Sequence, residues 1–347
     1  MIRQAIRYAY PIARSRTLIG NLLRPQDYAQ LLHVDKADDF LAYLHATAYI
    51  AVIAATEEKP ASVTRLLSEH FFTTAARMIA LLPQPAQNLC RAFLLRFEIE
   101  ALKVLVRAVE RPMERSHLLA LVRPVPVTST LPLDRLLKAR TMAEIAEALV
   151  DTPYAPLWQE EMPQLSASRS LFPLEMRLDR WFFTQVFAAS RPFAGQEHKI
   201  VQRLLGSLAD VANALWSQRL RTTFRLSPDE TDALLLPYGF HLSAAQRHAL
   251  ASWDGLEPFP FPFWHVEQTG PSLRLSLLRT LCREAQGPLL AVPFQVGVPL
   301  AYLLLGEMEV MDLTTMWEGK QWRIAASEVA HQLIRFYGPA LLGAGHV

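Results

Sequence analysis

The chain has 347 residues, 51% hydrophobic and 20% charged, a composition that builds a large core and is not that of a disordered chain. Its net charge of +2 supplies no strongly basic face with which to displace counterions from phosphate, so no nucleic-acid partner is expected. No run of about 18 to 20 apolar residues is present to span a bilayer; Leu41–Thr56 is interrupted by His45 and Thr47, and Leu300–Gly306 is too short.

The N-terminus, Met-Ile-Arg-Gln-Ala-Ile-Arg-Tyr, has no long apolar stretch and no small-residue cleavage site, so no signal peptide is expected. Arg3, Arg7, Arg14 and Arg16 make the first helix basic, either as a surface for acidic groups of a partner or as a solvated face. Leu31-Leu32, Phe40, Leu44, Thr47 and Tyr49 then recur 105 residues later as Leu136-Leu137, Ile145, Leu149, Thr152 and Tyr154. Asp39 and Glu144 keep the same relation to the middle apolar position. A helical hairpin repeated at this period implies similar bundles joined in series, not one pocket around one catalytic centre.

Residues 89–109 read as a helix, with Phe93, Phe97, Leu102, Leu105 and Val109 on one side. Arg96, Glu100, Lys103 and Arg107 fall mostly opposite. Residues 123–132, rich in proline, should be extended and form a joint between the two copies. Thr141 and Glu144 have capping-box spacing, as do Ser227 and Glu230 around a first-turn Pro228. Residues 199–221 form a second long helix with Ile200, Leu204, Leu208, Val211 and Leu215 on one side, and residues 222–228 form a second joint. Glu257–Trp264 alternates proline with phenylalanine: it is either a docking peptide for a proline-binding module or, the preferred reading, a run packed on its own domain. The best β-type run is Leu289–Val296, short and broken by Pro293. Cys90 and Cys282 match no metal or redox spacing and are expected as buried free thiols of a reducing cytosol.

Each long helix also carries an acid with a short motif: Glu98 to Lys103, Asp210 to Leu215, and Glu309 to Leu313, at spacings of 112 and 99. An arginine follows nine residues after each of the first two acids, as Arg107 and Arg219. The chain thus divides into three units of domain size, 1–122, 123–224 and 225–347, the third without the Thr-x-Tyr signature.

These motifs resemble the central-stalk socket of rotary V-type and A-type ATPases, the C subunit of archaeal-type enzymes and the d subunit of eukaryotic ones. The resemblance rests on the Thr-x-Tyr hairpins, the acid-x-x-(Asn/Asp)-Leu helices and Glu175-x-x-x-Asp179-Arg180-x-Phe182. Tyr10-x-x-x-Arg14-x-Arg16 with Leu22-Leu23 is similar to the family's first helix, and Tyr302 to Leu313 with Gly319-Lys320 to its last. Ala101 departs from the family's usual Asn, Ala214 puts the second motif off by one, and the Pro–Phe run is not a family feature. The resemblance implies an all-α fold of three units around a pseudo-threefold axis, enclosing a funnel. It implies a non-catalytic rotor part, one per complex, whose funnel takes the foot of the central stalk and whose base rests on the proteolipid ring. Its place is cytoplasmic, peripheral to the membrane, coupling torque in ATP-driven ion transport or ATP synthesis.

The residues taken alone give the same absence of chemistry. Thr47 and Thr152 serve helix ends and Tyr49 and Tyr154 pair a ring with a polar tip, because no base is placed beside them. Glu98, Asp210 and Glu309 are expected in salt bridges to helical arginines or lysines, or in hydrogen bonds across a helix junction, rather than in a proton relay. Gly319-Lys320 lacks the rest of a phosphate loop, His241 and His248 read as helix surface, and Asp38-Asp39 lacks a third acid for magnesium and diphosphate. No catalytic, cofactor-binding or metal-binding residue is assigned. A helical adaptor unrelated to rotary enzymes remains open, as does an all-α lipid- or terpenoid-handling enzyme, which would need a large pocket of clustered carboxylates.

Overall fold

The capping signals place the helix starts. Thr141 Oγ1 accepts from the Glu144 amide at 3.2 Å, Ser227 Oγ from the Glu230 amide at 3.3 Å and Ser243 Oγ from the Gln246 amide at 3.4 Å. Each removes an orphan donor at the first turn. The computed structural model describes residues 2–52, 63–111, 113–168, 170–254, 259–261, 264, 266, 272–290, 295–338 and 341. Among them the chain is helical, with no strand.

The first part holds α1 (Ile2–Gly20), the short hairpin α2 (Pro25–His33) and α3 (Ala37–His45), then the long α4 (Val63–Leu81) and α5 (Gln84–Glu110). After α6 (Arg115–Leu121), a non-helical stretch leads to α7 (Leu133–Leu136), α8 (Met142–Leu149) and α9 (Ala155–Ser168). The long pair α10 (Phe172–Ser190) and α11 (Gly195–Thr222) follows. A third short hairpin, α12 (Pro228–Leu234) and α13 (Ala244–Ser252), precedes α14 (Leu273–Leu290), α15 (Gly297–Gln321) and α16 (Ala326–His331). Residues 123–132 are free of helix, as their prolines dictate. Of the β-type run Leu289–Val296, residues 291–294 lie outside the described residues, and Leu289-Leu290 end α14.

Six of the long helices form a closed cycle. Successive pairs α4–α5, α10–α11 and α14–α15 touch. The cycle is completed by α5 on α10, α11 on α14, and α15 back on α4. Close approach is permitted where a side chain is missing: a Cβ on Gly306 of α15 would stand 2.9 Å from the Phe71 ring of α4. One hydrophobic cluster runs from Tyr8 to Ile334; a second joins residues 23–67 to residues 313–341, the two ends of the chain.

This arrangement changes the expected faces of the long helices. Lys103, expected opposite the apolar side, is buried because α10 covers that side too, with Asp179 at 2.8 Å. His241 is half-buried in the α12–α13 link rather than on a helix surface, 3.3 Å from Glu284; His248 is exposed on α13. Cys90 and Cys282 are buried free thiols. In the Pro–Phe run, Phe259 stacks on Trp264 with centroids 5.2 Å apart, and Phe261 and Trp264 are buried. Those described residues pack on their own chain, and residues 257, 258, 262 and 263 lie outside the description.

Candidate functional site: the buried acid junctions

Thr47 and Thr152 do the same work in the two hairpin copies. Each hydroxyl donates to the carbonyl three residues back, to Leu44 at 2.6 Å and Leu149 at 2.7 Å. Each accepts from the amide two residues on, from Tyr49 at 3.2 Å and Tyr154 at 3.3 Å. The threonine closes one helix and turns the chain so that the tyrosine points inward.

Both tyrosines end on an acid of a different segment. Tyr154 donates to Glu98 Oε2 of α5 at 2.9 Å. Tyr49 donates to Glu309 Oε1 of α15 at 2.8 Å. The remaining acid, Asp210 of α11, accepts from the amides of Phe240 at 2.9 Å and His241 at 2.6 Å, in the α12–α13 link. The acid helix of each stretch therefore grips the next hairpin in chain order, and the last grips the first. Asn213, one turn beyond Asp210, clasps Leu236 through its amide at 2.7 Å and its carbonyl at 3.1 Å. Gly239 is required here, because a Cβ would lie 2.5 Å from Asp210 Oδ1 and 2.8 Å from the Leu242 carbonyl.

The Glu309 junction is the most heavily bonded. Glu309 Oε2 also accepts from the Leu23 amide at 2.7 Å and from Arg335. Three residues on, Asp312 accepts from Tyr28 Oη at 3.0 Å and from the amides of Ile334 at 2.7 Å and Arg335 at 2.9 Å. Lys320 adds a bond to the Leu32 carbonyl at 2.6 Å, closing the end of α2. Ala101 occupies the matching place after Glu98 and brings no acceptor.

Burial governs the titration of these acids. It pushes Glu309 up to about 7, against the opposing pull of Arg335 and the bonds from Tyr49 and Leu23. It pushes Asp312 and Asp210 each up to about 6, against their amide donors. Glu98 is likewise raised by burial, with Tyr154 and Thr130 acting the other way. The expectation of hydrogen bonds across a helix junction holds for all of them. Arg335, the cation at Glu309, comes from the non-helical segment after α16 and not from a helix.

Arg107 and Arg219 serve a different acid. Both reach Glu175 at the start of α10, at 2.6 Å and 3.6 Å. Arg180 of the same segment donates to the carbonyls of Ala233 and Leu234 at 3.2 Å and 2.5 Å. The Glu175–Phe182 motif thus ties α5, α11 and α12 together. Between the long helices lies a cavity of about 240 Å³ with walls from α5, α10, α11, α14 and α15, among them Arg96, Asp179, Leu215, Leu278 and Glu307. Arg96 pairs with Glu307 there, and burial lowers its pKa to about 9.

Among the described residues no group of three His, Cys, Asp or Glu side chains is placed to hold a metal ion, and no helix is long and apolar enough to cross a membrane. Sequence reasoning found the three acids and both tyrosines. It missed Arg335, Tyr28, Gly239 and the amides of residues 240–241 and 334–335. Gly239 alone carried a visible signal, a glycine beside Tyr238 between two short helices.

Helices tied to one another through buried acids define an all-helical protein held together by polar junctions. The model of the ATP synthase (C/AC39) subunit family matches residues 11–332, and the chain belongs to that family, with a structural rather than a catalytic part in the complex. It is 23% identical to the A-type ATP synthase C subunit of Methanothermobacter thermautotrophicus over 90% of this chain and 84% of that protein. It is 21% identical to the C subunit of Methanocaldococcus jannaschii, over 94% and 86%, and 24% identical to that of Methanosarcina mazei, over 94% and 92%.

Proposed function

We propose that this chain is the socket of an A/V-type rotary ATP synthase or ATPase, coupling the central stalk to the membrane proteolipid ring. Its three units, 1–122, 123–224 and 225–347, surround a pseudo-threefold axis and leave a funnel for the foot of the stalk. The base of the funnel rests on the cytoplasmic face of the ring, with one copy per complex. ATP chemistry and ion passage take place on other subunits.

The observation that carries this reading is the cycle of acid junctions in a chain of the C/AC39 family. A part that passes torque must not shear between its own units. Buried hydrogen-bonded junctions and close-packed helices oppose such shear. The family match over residues 11–332 also disfavours the unrelated adaptor. The cavity among the long helices is walled largely by apolar side chains, and the carboxylates in its wall are already paired with cations, Glu307 with Arg96, and Glu100 and Asp179 with Lys103, which disfavours a terpenoid site.

The test is capture of the tagged chain from gently solubilised membranes with quantitative mass spectrometry. The expected result is recovery of stalk, catalytic and proteolipid subunits with about one copy of this chain per complex. Charge reversal at contact positions inside the funnel should uncouple ATP hydrolysis from ion transport and leave hydrolysis running. Loss of hydrolysis itself, or recovery of the chain without those partners, would sink the coupling role.

A further inference from the structure

Beside the Glu309 junction lies a second cavity, of about 440 Å³, that the socket reading leaves unused. It is walled by α1, α4 and α15 and falls in the size range of small-molecule sites. Its charge is one-sided. Arg14 from α1 and Arg77 from α4 both line it, both are exposed, and neither has an ion pair among the described residues. The carboxylate in its wall, Glu309, is already engaged by Tyr49, Leu23 and Arg335. His70 also lines the cavity, with its pKa lowered by burial and by the neighbouring Arg77, so the positive charge of the wall comes from the two arginines. Asn21 and Thr74 offer neutral donors in the same wall.

Two guanidinium groups on different helices, with neutral donors in the same wall and no ion pair of their own among the described residues, match a phosphoryl group in charge and in donor chemistry. We propose that this cavity binds a phosphoryl anion between Arg14 and Arg77, bracing α1 and α4 beside the junction where the first and last segments meet. The phosphoryl group belongs either to a free phosphorylated small molecule or to a lipid headgroup. The proposal stands apart from the socket reading and is tested on the isolated full-length chain.

Calorimetric titration with pyrophosphate should give saturable binding and a rise in melting temperature, since a ligand of the folded state stabilises it by mass action. Arg14→Ala and Arg77→Ala should each weaken binding at least tenfold. Arg65→Ala, on α4 but outside the cavity wall and paired with Glu69, should leave it unchanged. In a second arm, the chain is sedimented with vesicles of phosphatidylglycerol or of phosphatidylcholine. Binding to phosphatidylglycerol that is lost in Arg77→Ala but kept in Arg65→Ala supports the site and assigns the headgroup source. Melting temperatures of the unliganded variants report whether each is folded. Absence of saturable binding in both arms, or binding that both cavity substitutions spare, or equal loss in Arg65→Ala, would overturn the proposal.

Discussion

The Glu98 and Glu309 junctions use the same parts and bear different loads. In both, a threonine turns a hairpin so that a tyrosine donates to a buried glutamate, at 2.9 Å and 2.8 Å. At Glu98 the helpers are neutral, chiefly Thr130 at 3.5 Å. At Glu309 there is a guanidinium, a backbone amide and a second acid with its own tyrosine. The difference follows from chain connectivity. Glu98 and Tyr154 are 56 residues apart, whereas Glu309 and Tyr49 are 260 apart, so joining the latter closes a longer loop. That added entropy is modest, growing only with the logarithm of loop length. The larger demand is that no short linker holds the first and last segments together, so non-covalent contacts must do so.

The sharpest way to break this comparison is Arg335→Ala, which leaves Glu309 and Asp312 buried without their cation. Removing one member of a buried ion pair costs about 3–5 kcal/mol, read as a lower denaturant midpoint at neutral pH. No substitution at the Glu98 junction should match it. Next is the dependence on pH. Glu309 is raised from its ordinary 4.5 to about 7. Below about pH 4.5 its contribution is fully present, because both folded and unfolded forms hold the proton. As pH climbs from there through 7 the unfolded chain has released a proton that the folded chain still keeps, so stability falls. Thermal melts from pH 5 to 8 should show that decline, to which the raised Asp312 and Asp210 also contribute, and Glu309→Gln should make it shallower; an unchanged slope would assign the titration elsewhere.

Paired Tyr→Phe substitutions sharpen the comparison at the level of one hydroxyl. Tyr49→Phe and Tyr154→Phe each remove a bond to a buried carboxyl, a loss of about 1–3 kcal/mol. Tyr49 should lie at the upper end, because the Arg335 pair favours the charged form of Glu309. Equal losses would mean that Arg335 does not set the charge state there. The smallest effect is expected at Glu175→Gln. Its partners Arg107 and Arg219 are about half exposed, so solvent screening limits the loss to about 1 kcal/mol, read in the same denaturant melts.

What the sequence disclosed follows the same division. The hairpins were legible because Phe40 and Ile145, Leu44 and Leu149 are all fully buried, and burial leaves a periodic trace. The threonine turns and the capping boxes were legible because they act within four residues. The acids were recognisable as acceptors, since a carboxylate in an apolar helix needs donors. Their partners were not. Asp210 is answered by peptide amides, which every residue carries, and Glu309 by an arginine 26 residues further along in a segment with no helical period. The closed cycle of helices was likewise invisible, because both flanks of α5 and α11 are covered. Lys103, read as lying opposite the apolar side and found buried against Asp179, is the residue that exposes that error.

The three junctions stand in series around one loop of helices, as links do in a chain under tension. A twisting load applied across such a loop passes through every link, and its yield point is that of the weakest. The Glu98 link has neither the cation found at Glu309 nor the asparagine clasp found beside Asp210, since Ala101 stands where that clasp would be. Of the three acids Glu98 is therefore the least reinforced, and the seam beside it depends instead on the ion pairs that α5 makes with α10, Lys103 with Asp179 and Arg107 with Glu175.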